Sequence, residues 1–291
     1  MKNILVPTDF SDTANRAADI AIAIAEKAKA EIHFLHLQVT PVEWVKLDKR
    51  KEKRYPDTLK QIGHARGELH KWVKKAEEKG LIAKDFLVFD VSRDEILKHI
   101  PHHHHDFVVM GSHGASGAKE LLIGSNAQKI LRHATVPVLV VKEQSTWPMQ
   151  NIVFASSFED DVQTAFHTVV KLADLSEANI HLLYVNVPSA FEETDKSLEK
   201  MKAFHKSCPR KGTCTLNIYN ALNEERGILS FAKSVNTDLI AMITHGRAGF
   251  FNLMGKSIAE SVANHSERPI LSINIEHKTE SELHTERSDE G

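Results

Sequence analysis

The sequence has few cysteines, no long apolar run and almost no net charge, and each of these absences excludes a class of protein. Its two cysteines, Cys208 and Cys214, fit a reducing compartment and lack the second pair that a zinc site would need. No stretch of 18 consecutive apolar residues is present, so we expect no membrane span. A net charge of −2 gives no general attraction to nucleic acid or to an anionic membrane, and neither is expected as a partner.

The first ten residues, MKNILVPTDF, lead directly into a strand pattern and do not have the shape of a signal peptide. We therefore expect a cytoplasmic protein. The apolar content of 42% is enough for ordinary cores, and a length of 291 residues predicts one or two domains.

The stretch from residue 107 to residue 141 carries the main functional signal. An apolar run ends at Gly111 as a buried strand would, and a helical pattern begins after Gly124 and Ser125. Glycines permit positive φ and a close approach of backbone to a ligand. Backbone N–H groups in such turns, and at the N-terminus of a helix, hold anions. We interpret the spacing Gly-x2-Gly-x9-Gly-Ser as a phosphate site at the carboxyl end of a strand.

At these glycines the sequence resembles the ATP-binding branch of the universal stress protein family, whose motif Gly-x2-Gly-x9-Gly-(Ser/Thr) is matched without a gap. Residues 4–11, ILVPTDFS, resemble the first strand of that family and the turn after it. The resemblance is strong over residues 1–142 and weak over residues 151–276. It implies an α/β protein of two tandem Rossmann-like domains, of the adenine nucleotide alpha hydrolase-like type. Each would be an open, mostly parallel five-stranded sheet flanked by helices.

The resemblance also implies a ligand, ATP with Mg²⁺, and the residues that hold it. The adenosine side would be lined by Pro7, Thr8 and Asp9, with the backbone near Leu37 beside the base. The ribose and phosphates would lie against Met110, Gly111, Gly114, Gly124, Ser125 and Asn126. We include His113 as a structural or supporting residue of this site. No catalytic residue and no protein-held metal are assigned.

The pattern of the first half begins again at Asn151. Residues 151–154 match residues 3–6 at an offset of 148, and residues 238–242 match residues 106–110 at an offset of 132. Strands alternate with helices in both copies, which predicts parallel βαβ units. We expect one domain at residues 1–146, a second at 147–276 and a disordered polar tail at 277–291.

The second copy lacks the residues that would hold a nucleotide. Ser157 replaces Asp9, Ile243 replaces Gly111 and Lys256 replaces Gly124. The sequence Gly-Lys-Ser at residues 255–257 is not a P-loop, because position 250 is phenylalanine and not the required glycine. One nucleotide per chain is therefore expected.

Four consecutive histidines, His102, His103, His104 and His105, have two interpretations. They could bind a transition metal, or they could form a solvated loop between a helix and a strand. We favour the loop, because adjacent side chains on a loop point in different directions.

The last strands of the two copies, residues 136–141 and 269–273, read as apolar sheet edges, which proteins normally cover. Their antiparallel pairing would form a pseudo-dimer within the chain, and a homodimer of chains is left open.

Three functions are weighed: an ATP-binding stress or signalling protein, a slow ATPase or autophosphorylating enzyme, and a scaffold without ligand. We favour the first and expect no enzyme, since Glu120 is the only acid between Gly111 and Ser125.

Overall fold

The computed structural model describes residues 1–90, 95–113, 123–158, 162–207, 212–245 and 258–275. Its strands are β1 Asn3–Pro7, β2 Glu31–Val39, β3 Ala83–Asp90, β4 Phe107–Gly111, β5 Val138–Val141, β6 Asn151–Ala155, β7 Asn179–Asn186, β8 Cys214–Asn220, β9 Leu239–His245 and β10 Ile270–Ile275. Its α-helices are α1 Asp12–Ala28, α2 Lys49–Glu52, α3 Pro56–Glu77, α4 Glu95–His102, α5 Ser125–His133, α6 Val162–Ser176, α7 Thr194–Ser207, α8 Glu224–Ser234 and α9 Ile258–His265.

The strands form one ten-stranded sheet in the order β3-β2-β1-β4-β5-β10-β9-β6-β7-β8. Every pair within a copy is parallel, and β5 and β10 pair antiparallel where the copies meet, with Leu139 opposite Leu271. The predicted α/β class is confirmed, and each copy contributes five parallel strands, which join in one continuous sheet. The apolar edges pair as the sequence predicts. The domain boundaries at residues 146 and 276 stay predictions, and the predicted disordered tail lies outside the described residues.

The two copies share unusual backbone positions as well as strand order. Non-glycine residues with positive φ occur in matched pairs at the same two offsets found in the sequence: Phe10 and Phe158, Lys29 and Glu177, His104 and Asn236. Asp106 accepts a hydrogen bond from Asn3 N at 3.0 Å, and Asp238 accepts one from Asn151 N at 3.0 Å. These turns connect corresponding elements of the two copies, so the copies match in local backbone conformation as well as in strand order.

Helices cover both faces of the sheet. On one face α1 and α3 pack beside α6 and α7, and on the other α4 and α5 pack beside α8 and α9. Each layer of buried side chains includes residues of both copies, so both cores continue across the β5–β10 pair. Among the described residues, no helix is long and apolar enough to cross a bilayer.

Some elements are longer than the sequence pattern predicts. The helical pattern of the sequence predicts a helix over residues 61–79, but α3 begins at Pro56, whose missing N–H costs nothing in the first turn of a helix. The apolar pattern predicts a strand over residues 32–37, but β2 extends to Val39, because β3 pairs with it up to this residue. This extension carries β2 past the end of β1 and creates one wall of the site.

Candidate functional site

A cavity of about 330 Å³ opens at the carboxyl ends of β1, β2 and β4 and at the first turn of α5. Strands β2 and β4 lie on opposite sides of β1, so the cavity lies where the strand order reverses, the usual ligand site of open α/β sheets. Its volume is within the range of ligand pockets, roughly 300–1,000 Å³.

Ten of the eleven site residues expected from the sequence border this cavity: Pro7, Thr8, Asp9, Leu37, Met110, Gly111, His113, Gly124, Ser125 and Asn126. The eleventh, Gly114, lies outside the described residues. Sequence reasoning missed six others: Ala14, Leu35, Val39, Ile96, Ser112 and Ala127. The alternation of a strand could have identified Leu35 and Val39, which are two residues on either side of Leu37.

The turn between β1 and α1 is held by its own side chains. Asp9 Oδ1 accepts hydrogen bonds from Ser11 N at 3.1 Å and Ser11 Oγ at 2.6 Å. Thr8 Oγ1 accepts one from Phe10 N at 3.0 Å, and Phe10 has a φ of 64°. Ser11 also caps α1. These bonds orient the exposed Asp9 carboxylate at the rim of the cavity before any ligand arrives.

His36 supports the same turn from behind. Its Nδ1 lies 2.8 Å from the carbonyl oxygen of Thr8, and its ring stacks on Phe10 with centroids 4.5 Å apart. Burial lowers the pKa of His36 below its usual 6.5, so the ring is neutral at pH 7. A neutral ring with its proton on Nδ1 donates to Thr8 without placing a charge beside the cavity.

Position 111 requires glycine because the first turn of helix α1 lies against it, and not because of its own backbone angle. A Cβ at this position would lie 2.8 Å from Ala14 N and 2.9 Å from the carbonyl carbon of Thr13. The φ of Gly111 is not positive, so of the two properties of glycine it is the close approach of backbone that matters here. The missing side chain lets the end of β4 approach the first turn of α1, and Thr13 Oγ1 then donates to the His113 carbonyl at 2.7 Å.

The second cavity-lining glycine, Gly124, is the N-cap of α5, with φ −62° and ψ 153°. It too needs no positive φ. A serine or aspartate at this position would itself accept a hydrogen bond from an N–H group of the first turn. Glycine has no such side chain, so the N–H groups of Ser125, Asn126 and Ala127 face the cavity without an acceptor from the cap. A helix N-terminus of this kind is able to hold an anion.

His113 lies between these two glycines. Its Nδ1 is 2.8 Å from Ser112 Oγ. Its Nε2 is buried and has no hydrogen-bond partner among the described residues. Buried polar atoms are rarely left unpaired, so a polar group in the cavity is a candidate partner for this nitrogen.

The far wall of the cavity is backbone from the end of β2. Thr8 N, directly after β1, donates to Leu35 O at 2.8 Å, which is the last backbone hydrogen bond between this segment and β2. Successive residues of a strand direct their N–H and C=O groups to opposite sides. The amide groups of Leu37 therefore face the same side as those of Leu35, beyond the point where β1 has ended.

The equivalent position in the second copy is only partly described. Ser157 is exposed and Ile243 is half-buried against the core, so the described residues lack both the carboxylate of Asp9 and the glycine of position 111. Lys256 and its neighbours lie outside the described residues.

The interpretation of the histidine run as a solvated loop holds for His104, which is exposed in a turn. It is wrong for His102, which is exposed but ends α4, and for His105, which is buried. His105 is 4% exposed, and its Nε2 lies 2.9 Å from His33 Nδ1 on β2. Burial, with repulsion from neighbouring histidines, lowers the pKa of His105 to about 4 and that of His99 to about 3. No group of three or more side chains able to hold a metal is found among the described residues.

A model of the universal stress protein family matches residues 1–142 and 222–274. Two universal stress proteins of Methanocaldococcus jannaschii are 30% and 34% identical over 158 and 143 residues, which is 50% and 49% of this chain and 97% and 82% of theirs. The crystal structure of a universal stress protein from Archaeoglobus fulgidus is similar in fold, with a TM-score of 0.71 at 20% identity, covering 94% of this chain and 96% of that one.

Proposed function

The chain belongs to the universal stress protein family, and from this premise we propose that it binds ATP in the cavity of the first repeat and acts as a nucleotide-dependent regulatory protein in a stress response. The observation that carries the proposal is the arrangement of the cavity. The first-turn N–H groups of α5, which have no side-chain cap, form one end, and the backbone of Leu37 forms the other.

The two ends suit different parts of a nucleotide. The phosphates would lie at the N-terminus of α5, where Ser125 Oγ and the first-turn N–H groups can donate to them. The adenine would lie beside Leu37, whose backbone N–H and C=O match its N1 and exocyclic amine. The oriented carboxylate of Asp9 would accept a hydrogen bond from the adenosine side.

Magnesium would accompany the phosphates and not occupy a site of its own in the protein. Asp9 is the only carboxylate that borders the described part of the cavity, and its Oδ1 already accepts two hydrogen bonds from Ser11. The ion, when bound with ATP, would neutralise phosphate charge.

The described lining also favours binding over turnover. Phosphoryl transfer needs a group that positions the nucleophile and cations that stabilise the developing charge. No lysine or arginine borders the described part of the cavity. We therefore propose that the protein is not an efficient enzyme and that any ATP hydrolysis is slow.

Mass spectrometry of the gently purified protein and calorimetry with ATP test this function. Wild-type protein should bind one ATP per chain, and Gly124→Glu should abolish binding by placing a carboxylate among the α5 N–H groups. Gly67→Glu is the matched control, because Gly67 lies on the exposed face of α3 and a Cβ added there would have no atom within 4 Å.

Three results would contradict the proposal. Wild-type protein without affinity for ATP would favour a scaffold, and two equivalent sites would show that the second copy also binds. Turnover that is rapid and lost in Gly124→Glu would show an enzyme.

A further inference from the structure

Helix α9 of the second repeat contacts the helix that opens the nucleotide cavity of the first repeat. Its residues Glu260 and Asn264 are four apart, so both lie on the face turned to α5. Glu260 is 2% exposed and Asn264 is 4% exposed. These two polar side chains are therefore buried where the repeats meet, and their partners are groups of the first repeat.

Asn264 reaches the backbone just before the phosphate-binding turn. Its Oδ1 accepts a hydrogen bond of 3.0 Å from the N–H of Ile123. The next N–H along the chain, that of Gly124, donates to Ser112 O at 2.8 Å at the end of β4. Two consecutive amides thus donate hydrogen bonds to different repeats, Ile123 to the second and Gly124 to the first. Together they set the orientation of the N-cap.

Glu260 holds the body of the same helix. Its carboxylate accepts hydrogen bonds from the side-chain amide of Gln128 and from Arg132 Nη2, the latter at 2.6 Å. Gln128 is the residue whose N–H makes the first helical hydrogen bond, to Gly124 O. Contacts from α9 therefore run from the residue before the N-cap, through the first turn, to the second turn of α5.

We infer that α9 positions the nucleotide site of the first repeat, with Asn264 as the positioning residue, so that ATP binding and docking of the second repeat are coupled. The inference rests on the proposed function. Asn264 is not among the described residues that line the cavity, and it reaches the N-cap of α5 through its hydrogen bond to Ile123. By linkage, a contact that favours ATP binding is favoured by ATP to the same extent. The second copy, which lacks counterparts of Asp9 and Gly111, would thus stabilise the nucleotide site of the first copy.

Calorimetry with ATP on Asn264→Ala tests the coupling. The variant leaves Ile123 N–H without its acceptor, and we expect ATP affinity to fall about fivefold or more, the lower end of coupling between sites. Asn274→Ala is the matched control. It also removes an asparagine hydrogen bond between the repeats, from Asn274 Nδ2 to Ala134 O at 3.2 Å, but at the opposite end of α5. The control should bind ATP as the wild type does.

Amide hydrogen exchange on the wild-type protein provides a second measurement, which does not depend on a variant that folds. ATP should slow exchange of the α9 amides as well as those of the first repeat, although α9 does not border the cavity. Slowing confined to the first repeat, or equal ATP affinity in Asn264→Ala and wild type, would overturn the coupling and leave the proposed function intact. Failure of the wild type to bind ATP would overturn the proposed function itself.

Discussion

Replacing Gly111 by alanine should destabilise the first repeat, although the change adds one methyl group. The new Cβ would lie 2.8 Å from Ala14 N, 2.9 Å from Thr13 C and 3.1 Å from Thr13 O. All three atoms are backbone, so no side chain can rotate away and either α1 or the end of β4 must move. Overpacking of this kind costs about 1–3 kcal/mol.

The same displacement should weaken nucleotide binding. Gly111 and His113 border the cavity, and the hydrogen bond from Thr13 Oγ1 to His113 O joins the two elements that the methyl group would separate. A hydrogen bond of this kind contributes about 1 kcal/mol. Its loss corresponds to roughly a fivefold change in an equilibrium constant, since about 1.4 kcal/mol is tenfold.

Urea unfolding and ATP calorimetry on the purified variant measure both effects. Gly67→Ala is the control for adding a methyl group to a glycine. No atom lies within 4 Å of the Cβ position at Gly67, and alanine is favoured over glycine inside a helix by about 1 kcal/mol. The two variants should shift the unfolding midpoint in opposite directions. A Gly111→Ala protein as stable as wild type, with unchanged ATP affinity, would refute the close approach of β4 and α1 as the reason for glycine.

Three further outcomes are expected. ATP should bind well over tenfold more tightly than GTP, because guanine reverses both groups opposite Leu37 and each unmet polar group costs about 1–3 kcal/mol; equal affinities in a competition assay would exclude an adenine pocket there. A fragment of residues 1–146 should self-associate in sedimentation experiments through the exposed edge of β5; a clean monomer would count against this. The free energy of unfolding should fall as the pH drops from 6.5 toward 4. In the native state His99 and His105 have pKa values of about 3 and 4 and stay neutral over this range, whereas the same histidines of the unfolded chain bind protons. Urea unfolding at a series of pH values should show a weaker pH dependence in His105→Gln, and a pH-independent wild type would contradict the assignment.

Local patterns in the sequence were enough for the class of fold and for the position of the site. Apolar runs alternating with helical periodicity indicated βαβ units, and the glycine spacing located the turns after β4 and before α5. Parallel strands place their carboxyl ends at one edge of a sheet, so motifs after β1, β2 and β4 had to converge. For this reason the predicted residues after these strands border one cavity, although Met110 and Leu37 are far apart in the chain.

Contacts between distant segments could not be predicted from local sequence patterns. The sequence shows a glycine at position 111 but not why it is needed there. The reason is close contact with the backbone of α1, about 100 residues earlier in the chain. The sequence shows four histidines in a row but not that the last is buried against His33 of β2.

The sequence alone therefore determined the repeat and the α/β class, because strand alternation and helical periodicity are local properties. The glycine spacing indicated a phosphate site, and the other residues of the candidate site came from the resemblance to the family. Only the tertiary structure decided what surrounds those residues. It shows that Asn264 of α9, 141 residues along the chain from Ile123, supports the turn before Gly124. The apolar edges already indicated the antiparallel pairing of β5 with β10, but the contact also depends on the packing of α5 beside α9, which no local pattern encodes.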